Sequence, residues 1–365
     1  MTNRFLGVAA PGLAALKPYL PGKPLSELER ELGISGSIKL ASNENPLGPS
    51  PRVRKVLQQQ IEELTRYPDG GAFELRTALA DHHVVDPACI TVGNGSNDVL
   101  DMVARVFLWA GRESVFSQYA FAVYPLSSMA VGAELRIAPA VDYAHDLDGL
   151  ARLIGEQTGV VWIANPNNPT GTVLDATSLR DFIADVPSQV IVVVDEAYAE
   201  YVHRHDYPDA TRWLDEFPNL VVTRTFSKAY GLAALRVGYG VSHPDIADLL
   251  NRVRQPFNVD SFAQAAALAA LQDRDYLRRS IELNDRGMAQ LEEGLRRLGL
   301  DFIPSVGNFI SVDLGRAAGP VDQALLKLGV VTRPIDNYGM PNHLRVSIGT
   351  LEENARFLAA LGQVI

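Results

Sequence analysis

Three stretches decide how the chain folds: VVWIANPNNPTG at Val160–Gly171, VIVVVDEAY at Val190–Tyr198 and LVVTRTFSKAYG at Leu220–Gly231. Each opens on a continuous, mostly β-branched apolar run and closes on a polar cluster. A strand that is apolar at every position is buried on both faces, as in a parallel sheet covered by helices. Helical patterns separate the runs, Asp175–Ala184 among them. Strand–helix–strand alternation at this spacing predicts a doubly wound α/β domain. Ligands of such sheets bind outside the carboxyl ends of the strands. The three polar clusters, beginning at Asn165, Asp195 and Arg224, are therefore expected to converge on one site.

Past about residue 256 the pattern changes. Ala263–Leu271 and Ile281–Leu298 read as long helices, Phe302–Leu314 and Leu344–Ile348 as strands, and a helix closes the chain. This predicts a second, smaller α+β domain. The expected division is an arm plus part of the small domain over 1–40, a large domain over 41–255 and a small domain over 256–365. Two domains suit 365 residues at roughly 150 per domain. The Pro/Gly-rich stretch Pro18–Pro24 is read as the link between arm and body.

Composition narrows the function classes. Apolar residues make up 47% and charged residues 21%, with a net charge of −10, so the chain can bury a large core. The acidic balance, with no run of four basic residues, argues against a nucleic-acid partner. A single cysteine, Cys89, rules out an internal disulfide and the usual zinc-binding spacings. Phe5–Leu16 is apolar, but Gly7, Pro11 and Gly12 interrupt it and one Arg precedes it. It reads as an arm that packs on the body rather than as a signal peptide. No apolar run approaches about 18 residues, so no membrane span is expected. A cytoplasmic location follows.

Several residues stand out chemically. Gly93-Asn-Gly-Ser-Asn-Asp98 lies between a short apolar run and a helical pattern. Such a turn either offers free backbone N–H groups and a helix dipole to an anion or is an ordinary cap by Ser96 or Asn97. It is not GxGxxG, and GxxxxGK[ST] is absent, which argues against dinucleotide and nucleotide-hydrolysis sites. Asp195, at a strand end, fits structural, metal-binding or charge-pairing roles, including keeping a heteroaromatic nitrogen protonated. Lys228, just past a buried strand, fits a partly buried amine of lowered pKa suited to Schiff-base chemistry. Arg236 and Arg345 are single arginines in apolar surroundings, each needing a protein carboxylate or a ligand anion. The seven histidines form no recognised metal spacing, so no metal is expected. GxSxG is absent as well, which removes the usual hydrolase nucleophile.

Taken in order, Asn168, Asp195, Tyr198, Lys228 and Arg236 resemble the fold-type I pyridoxal-phosphate (PLP) aminotransferases. Further stretches are similar to the histidinol-phosphate aminotransferases among them: LKPYLPGK from Leu16, LASNENPLG from Leu40, RYPD from Arg66, GNGSN from Gly93 and LRVSIGT from Leu344. The resemblance spans essentially the whole chain and implies a role for each matching residue. Lys228 would hold PLP covalently and shuttle the proton at substrate Cα. Asp195 would pair with the pyridine nitrogen, while Asn168 and Tyr198 would bond the ring's phenolic oxygen. Tyr119 would stack on the ring, with Tyr124 as a competitor. Gly95, Ser96, Asn97, Thr225, Ser227 and Arg236 would cup the phosphate, and Tyr67 would reach the phosphate in the other subunit of a homodimer. Arg345 and Arg333 would take the substrate's anionic end, and Tyr19, Asn43, Asn168 and Asn308 would line its pocket.

The reaction so implied is L-histidinol phosphate plus 2-oxoglutarate giving 3-(imidazol-4-yl)-2-oxopropyl phosphate plus L-glutamate, in histidine biosynthesis. Three alternatives share the motifs: transamination of aromatic amino acids, phosphothreonine decarboxylation, and PLP binding without catalysis. Intact Lys228 and Asp195 count against the last.

Overall fold

The structure is a computed structural model that describes residues 4–9, 11–16 and 24–365. Its strands are β1 (Ile38–Lys39), β2 (Ile90–Gly93), β3 (Glu113–Ser117), β4 (Glu134–Ala138), β5 (Thr158–Ala164), β6 (Ile191–Asp195), β7 (Leu220–Thr225), β8 (Gly238–Ser242), β9 (Asp301–Ile303), β10 (Phe309–Asp313), β11 (Val330–Val331), β12 (Arg333–Ile335) and β13 (Met340–Ser347). Its α-helices are α1 (Leu25–Leu32), α2 (Pro51–Gln60), α3 (Phe73–His83), α4 (Ser96–Phe107), α5 (Val123–Ala130), α6 (Leu147–Ala151), α7 (Ala176–Asp185), α8 (Pro244–Val253), α9 (Ser261–Leu271), α10 (Arg274–Arg297), α11 (Ala318–Lys327) and α12 (Leu351–Val364).

The main sheet has the order β2-β8-β7-β6-β5-β3-β4. Pairing is parallel from β7 through to β4. Only β8 runs against its neighbours. The apolar runs behave as strand geometry requires, sending successive side chains to opposite faces. Val161, Ile163, Val192, Val194, Leu220 and Val222 enter one core with residues of α2, α3, α7 and α9. Val160, Trp162, Ile191, Val193 and Val221 enter another with residues of α4, α5 and α8. Local signals start the covering helices where they are needed. Asp175 caps α7 by accepting from Ser178 N at 2.9 Å, and Ser50 caps α2, with Pro51 in its first turn, both favourable arrangements at helix starts.

The smaller domain is an antiparallel sheet, β12-β13-β10-β9, packed through Leu291, Leu295, Leu325, Phe357 and Leu361 against α10, α11 and α12. β1 pairs in parallel with β11, which ties Ile38 and Lys39 to this part of the chain. Thr350 and Glu353 form a capping box that starts α12.

Two expectations need correction. The large domain does not end at residue 255. Ala263, Ala266, Ala267 and Ala270 of α9 share the core of the main sheet, because small side chains let this helix lie close against α2 and α3. The passage to the small domain runs along α10. The stretch Phe302–Leu314 is not one strand but two, β9 and β10, joined by a turn containing Pro304 and Gly307.

Candidate active site

The carboxyl ends of β5, β6 and β7 do converge. They open on a cavity of about 260 Å³ whose walls include Asn168, Asp195, Tyr198, Thr225, Ser227, Lys228, Arg236 and Arg345. Asp195 ends β6 and is buried. Tyr124 Oη donates to its Oδ2 at 2.9 Å, and Thr223 Oγ1, from the next strand, donates to its Oδ1 at 2.9 Å. Burial pushes this carboxyl up, while both hydroxyl donors pull it back. A cationic N–H beside it would favour the carboxylate further. The next residue, Glu196, just past the end of β6, is buried on the opposite side and pairs with Arg224 at 2.5 Å. The two strand ends therefore present the Asp195–Thr223 pair to the cavity side and an ion pair to the opposite side.

Lys228 follows β7. Its Nζ donates to Ser42 O at 3.3 Å and lies 5.7 Å from the Tyr198 ring centre. Burial first, then the positive charges of Arg345 and Arg236, lower its pKa to about 8. An amine held there is neutral far more often than a surface lysine, and so is a nucleophile. Tyr198 is buried, which pushes its hydroxyl up to about 12, and it accepts from Asn43 Nδ2 at 2.9 Å.

The glycine turn leaves backbone N–H groups open at the start of α4. Gly95 caps α4 with φ +77° and no side-chain cap bond forms, so the ordinary cap by Ser96 or Asn97 does not occur. The N–H groups of Ser96 and Asn97, which open α4, have no intrahelical acceptors, and both residues line the cavity. Space is left by missing atoms: a Cβ on Gly95 would overlap the Arg236 guanidinium, and one on Gly238 would overlap Ser96 N. Arg236 is exposed at this end and donates to Ser227 Oγ and Ala233 O, both at 3.1 Å. Thr225 Oγ1 accepts from Ser227 N at 3.1 Å, which fixes the turn.

Arg345, on β13, is 7% exposed. It donates to Asn168 Oδ1 at 2.6 Å and Ala41 O at 2.9 Å, and its Nε is buried with no partner. Among the described residues no carboxylate lies within ion-pair distance of Arg345 or Arg236.

Other expected residues stand elsewhere. Tyr119 is not in the cavity wall. Its ring lies 5.8 Å from that of Tyr143, in a cluster with Ile303, Ile335 and Met340, and only its carbonyl, accepting from Asn167 Nδ2 at 3.0 Å, touches the Asn-Pro loop. The aromatic ring in the wall is Phe121. Tyr124 is occupied beneath, stacked on Trp162 at 5.2 Å and bonded to Asp195. Asn308 stands one layer back, donating to Asn43 O at 3.0 Å. Arg333 faces Arg345 in register across β12 and β13 but lines an adjoining cleft that shares Tyr338 with the cavity. Tyr67 is 82% exposed and stacks on Phe257 at 4.7 Å, away from this chain's own cavity. Tyr19 lies outside the described residues. Phe121, Thr223, Ser42, Glu44 and Tyr338 were not foreseen. Thr223 had a signal, because it sits in register with Asp195 on the neighbouring parallel strand. Among the described residues no cluster of His, Cys, Asp or Glu could hold a metal, and no helix is long and apolar enough to cross a membrane.

Likeness to known proteins decides the family. Residues 35–361 match the family described as Aminotransferase class I and II. The chain is a class I/II aminotransferase. A histidinol-phosphate aminotransferase 2 of Pseudomonas aeruginosa is 59% identical to the aminotransferase over 99% of this chain and 98% of that protein. The crystal structure of a histidinol-phosphate aminotransferase from Sinorhizobium meliloti, in complex with pyridoxal-5'-phosphate, superposes with a TM-score of 0.88 at 30% identity, covering 97% of this chain and 96% of that one. An L-threonine-O-3-phosphate decarboxylase from Porphyromonas gingivalis shares the fold, at a TM-score of 0.79 and 23% identity, over 89% of this chain and 98% of that one.

Proposed function

We propose that the aminotransferase uses PLP to exchange the amino group of L-histidinol phosphate with 2-oxoglutarate, as a cytoplasmic homodimer of histidine biosynthesis. The observation that carries this is one cavity in which a half-buried amine of lowered pKa, Lys228, faces a buried carboxylate, Asp195, with the glycine turn and Arg236 at one end and Arg345 at the other.

The residues fit the cofactor. Lys228 would hold it covalently, and Asp195, braced by Tyr124 and Thr223, would take its pyridine N–H. The cradle of Gly95, Ser96, Asn97, Thr225, Ser227 and Arg236 would take its phosphate. Asn168 and Tyr198 would reach its phenolic oxygen, and Phe121, in the place expected of Tyr119, would cover its face. When bound, PLP supplies an electron sink for the charge left at the substrate's Cα. The protein supplies the rest. Lys228 Nζ, once freed, takes and returns the proton at Cα, which a pKa near neutrality suits. Asp195 keeps its negative charge beside a cation in a dry site, where electrostatic stabilisation is strong. Arg345 offers a planar fork that fits the phosphate of one substrate and a carboxylate of the other. Asn43, with Asn308 behind it, would border the substrate.

Arg333 would add positive charge from the adjoining cleft. For the dimer, support comes from apolar side chains left open: Ile61, Leu64, Tyr67, Phe73 and Phe257. A partner covering these side chains would remove them from water, and in such a dimer Tyr67 would reach the partner's site.

The test is a half-reaction. Holoenzyme mixed with histidinol phosphate and no oxo acid is expected to lose its PLP absorbance band and gain that of the pyridoxamine form, faster than with phenylalanine or phosphothreonine. Faster conversion by phenylalanine would move the substrate and keep the chemistry. Carbon dioxide release from phosphothreonine would replace the reaction itself.

A further inference from the structure

Lys228, Asp195 and Arg236 serve the cofactor, and Arg345 serves the substrate's anionic end. One charged residue in the cavity wall is left without a role: Glu44.

Glu44 is not a stray surface acid. It follows Ser42, whose carbonyl accepts from Lys228, and Asn43, so three consecutive residues form one side of the cavity. The residues on both sides of it are pinned. Asn43 has φ +54°, donates from its backbone to Ser347 Oγ at 2.7 Å and from its side chain to Tyr198 Oη. Asn45 donates to Ala229 O at 2.9 Å and Ser280 Oγ at 2.7 Å. The carboxylate itself is held by Lys39, whose Nζ donates to Oε1 at 2.8 Å, and it remains 42% exposed. Among the described residues, Oε2 has no hydrogen-bond partner.

A carboxylate at this place poses a problem that the two amino donors of the proposed reaction state clearly. Both bring an anion for Arg345. The remainder of histidinol phosphate is an imidazole, which carries an N–H and is partly protonated near neutral pH. The remainder of glutamate is a second carboxylate, which a bare Glu44 would repel. We infer that Glu44 is the residue that selects the donor's uncharged or cationic end, its free oxygen accepting from an imidazole N–H, and that Lys39 neutralises it so that a dicarboxylate can still enter. This rests on the substrate pair of the proposed function. One ion pair would thereby serve two unlike ligands in one pocket: the acid reads one, and its partner makes the other tolerable.

The experiment uses holoenzyme in the two half-reactions, histidinol phosphate alone and glutamate alone, with apparent Kd taken from saturation of the cofactor's spectral change. In Glu44→Gln, which keeps size and shape, the ratio of the histidinol phosphate Kd to the glutamate Kd should rise about tenfold, the scale of one charge-assisted hydrogen bond. In Lys39→Gln the ratio should move the opposite way, because the carboxylate is left uncompensated against glutamate. Equal changes for both donors in Glu44→Gln, or none, would overturn the inference and leave the proposed function standing. A wild-type protein that glutamate converts and histidinol phosphate does not would overturn the proposed function, and this inference with it.

Discussion

The cavity has two unlike walls. One is made by the carboxyl ends of β5, β6 and β7 and by the start of α4, all in the large domain. The other is made by the loop at 42–44 and by Arg345 and Tyr338, which belong to the small domain or lie beside it. The first wall is held for a local reason: Asp195 ends β6, Asn168, Tyr198, Ser227 and Lys228 lie two to four residues beyond strands buried on both faces, and neighbours in register support each other, as Thr223 supports Asp195. The second wall is held by contacts between residues far apart in sequence. Asn43 bonds Ser347 across 304 positions and Arg345 bonds Asn168 across 177. Under the proposed function the first wall performs chemistry that is the same for every amino donor, and the second decides which donors arrive.

This division can be broken by experiment. Asp195→Asn should act on the first wall alone. Its rate should fall by a factor of about a thousand, on the scale of lost electrostatic stabilisation in a dry site, and by the same factor for histidinol phosphate and glutamate. Unequal losses in steady-state assays with each donor would blur the two walls. Arg345→Lys should act on the second. A lysine cannot keep the fork that bonds Asn168 and Ala41, so kcat/KM should fall about thirtyfold, near 2 kcal/mol, chiefly through KM. KM should rise far more than kcat falls, and a loss confined to kcat would show that Arg345 belongs to the first wall.

The smallest effect concerns the apoprotein. Lys228 has a folded pKa near 8 against an unfolded value near 10.4. Between these values the unfolded chain binds more protons, so stability rises with pH through this window. Below about pH 8 the full penalty for the buried charge is present. Apo Lys228→Met should therefore be more stable than the apo wild type at pH 7, by about 3 kcal/mol, with the gap closing between pH 8 and 10.5. Denaturant titrations at pH 7 and 10 check this, and a constant gap would mean that the amine is not the cause.

The same contrast explains what could be read from sequence. The first wall was legible because β5, β6 and β7 announce themselves as apolar runs and their polar ends fall at fixed places. β8 was not, because Gly-Tyr-Gly-Val-Ser lacks strand propensity and earns its place through what two of its residues omit. The ring in the cavity was misplaced by two positions. In Tyr119-Ala-Phe121 alternation puts both aromatics on one side of an extended chain, and only the turn leading into α5 separates them. The second wall was hardest. Composition names Arg333 and Arg345 equally, yet the shared cleft at Tyr338 sends them to different spaces. The end of the large domain was misread because an alanine-rich helix such as α9 carries no preferred face, so nothing in its sequence says which domain it covers.

The anion cradle has a consequence for anyone surveying this protein by alanine scanning. Under the proposed function Arg236 and Ser227 bind through side chains, but the rest of the cradle binds through backbone N–H groups, and its shape depends on the absence of a methyl at Gly95 and Gly238. Trimming Ser96 or Asn97 to alanine leaves those N–H groups where they were, so this backbone part of the cradle will look dispensable even where Arg236 and Ser227 do not. Only adding atoms exposes it. At such a site damage comes by gain of matter, and a catalogue of deletions will pass it by.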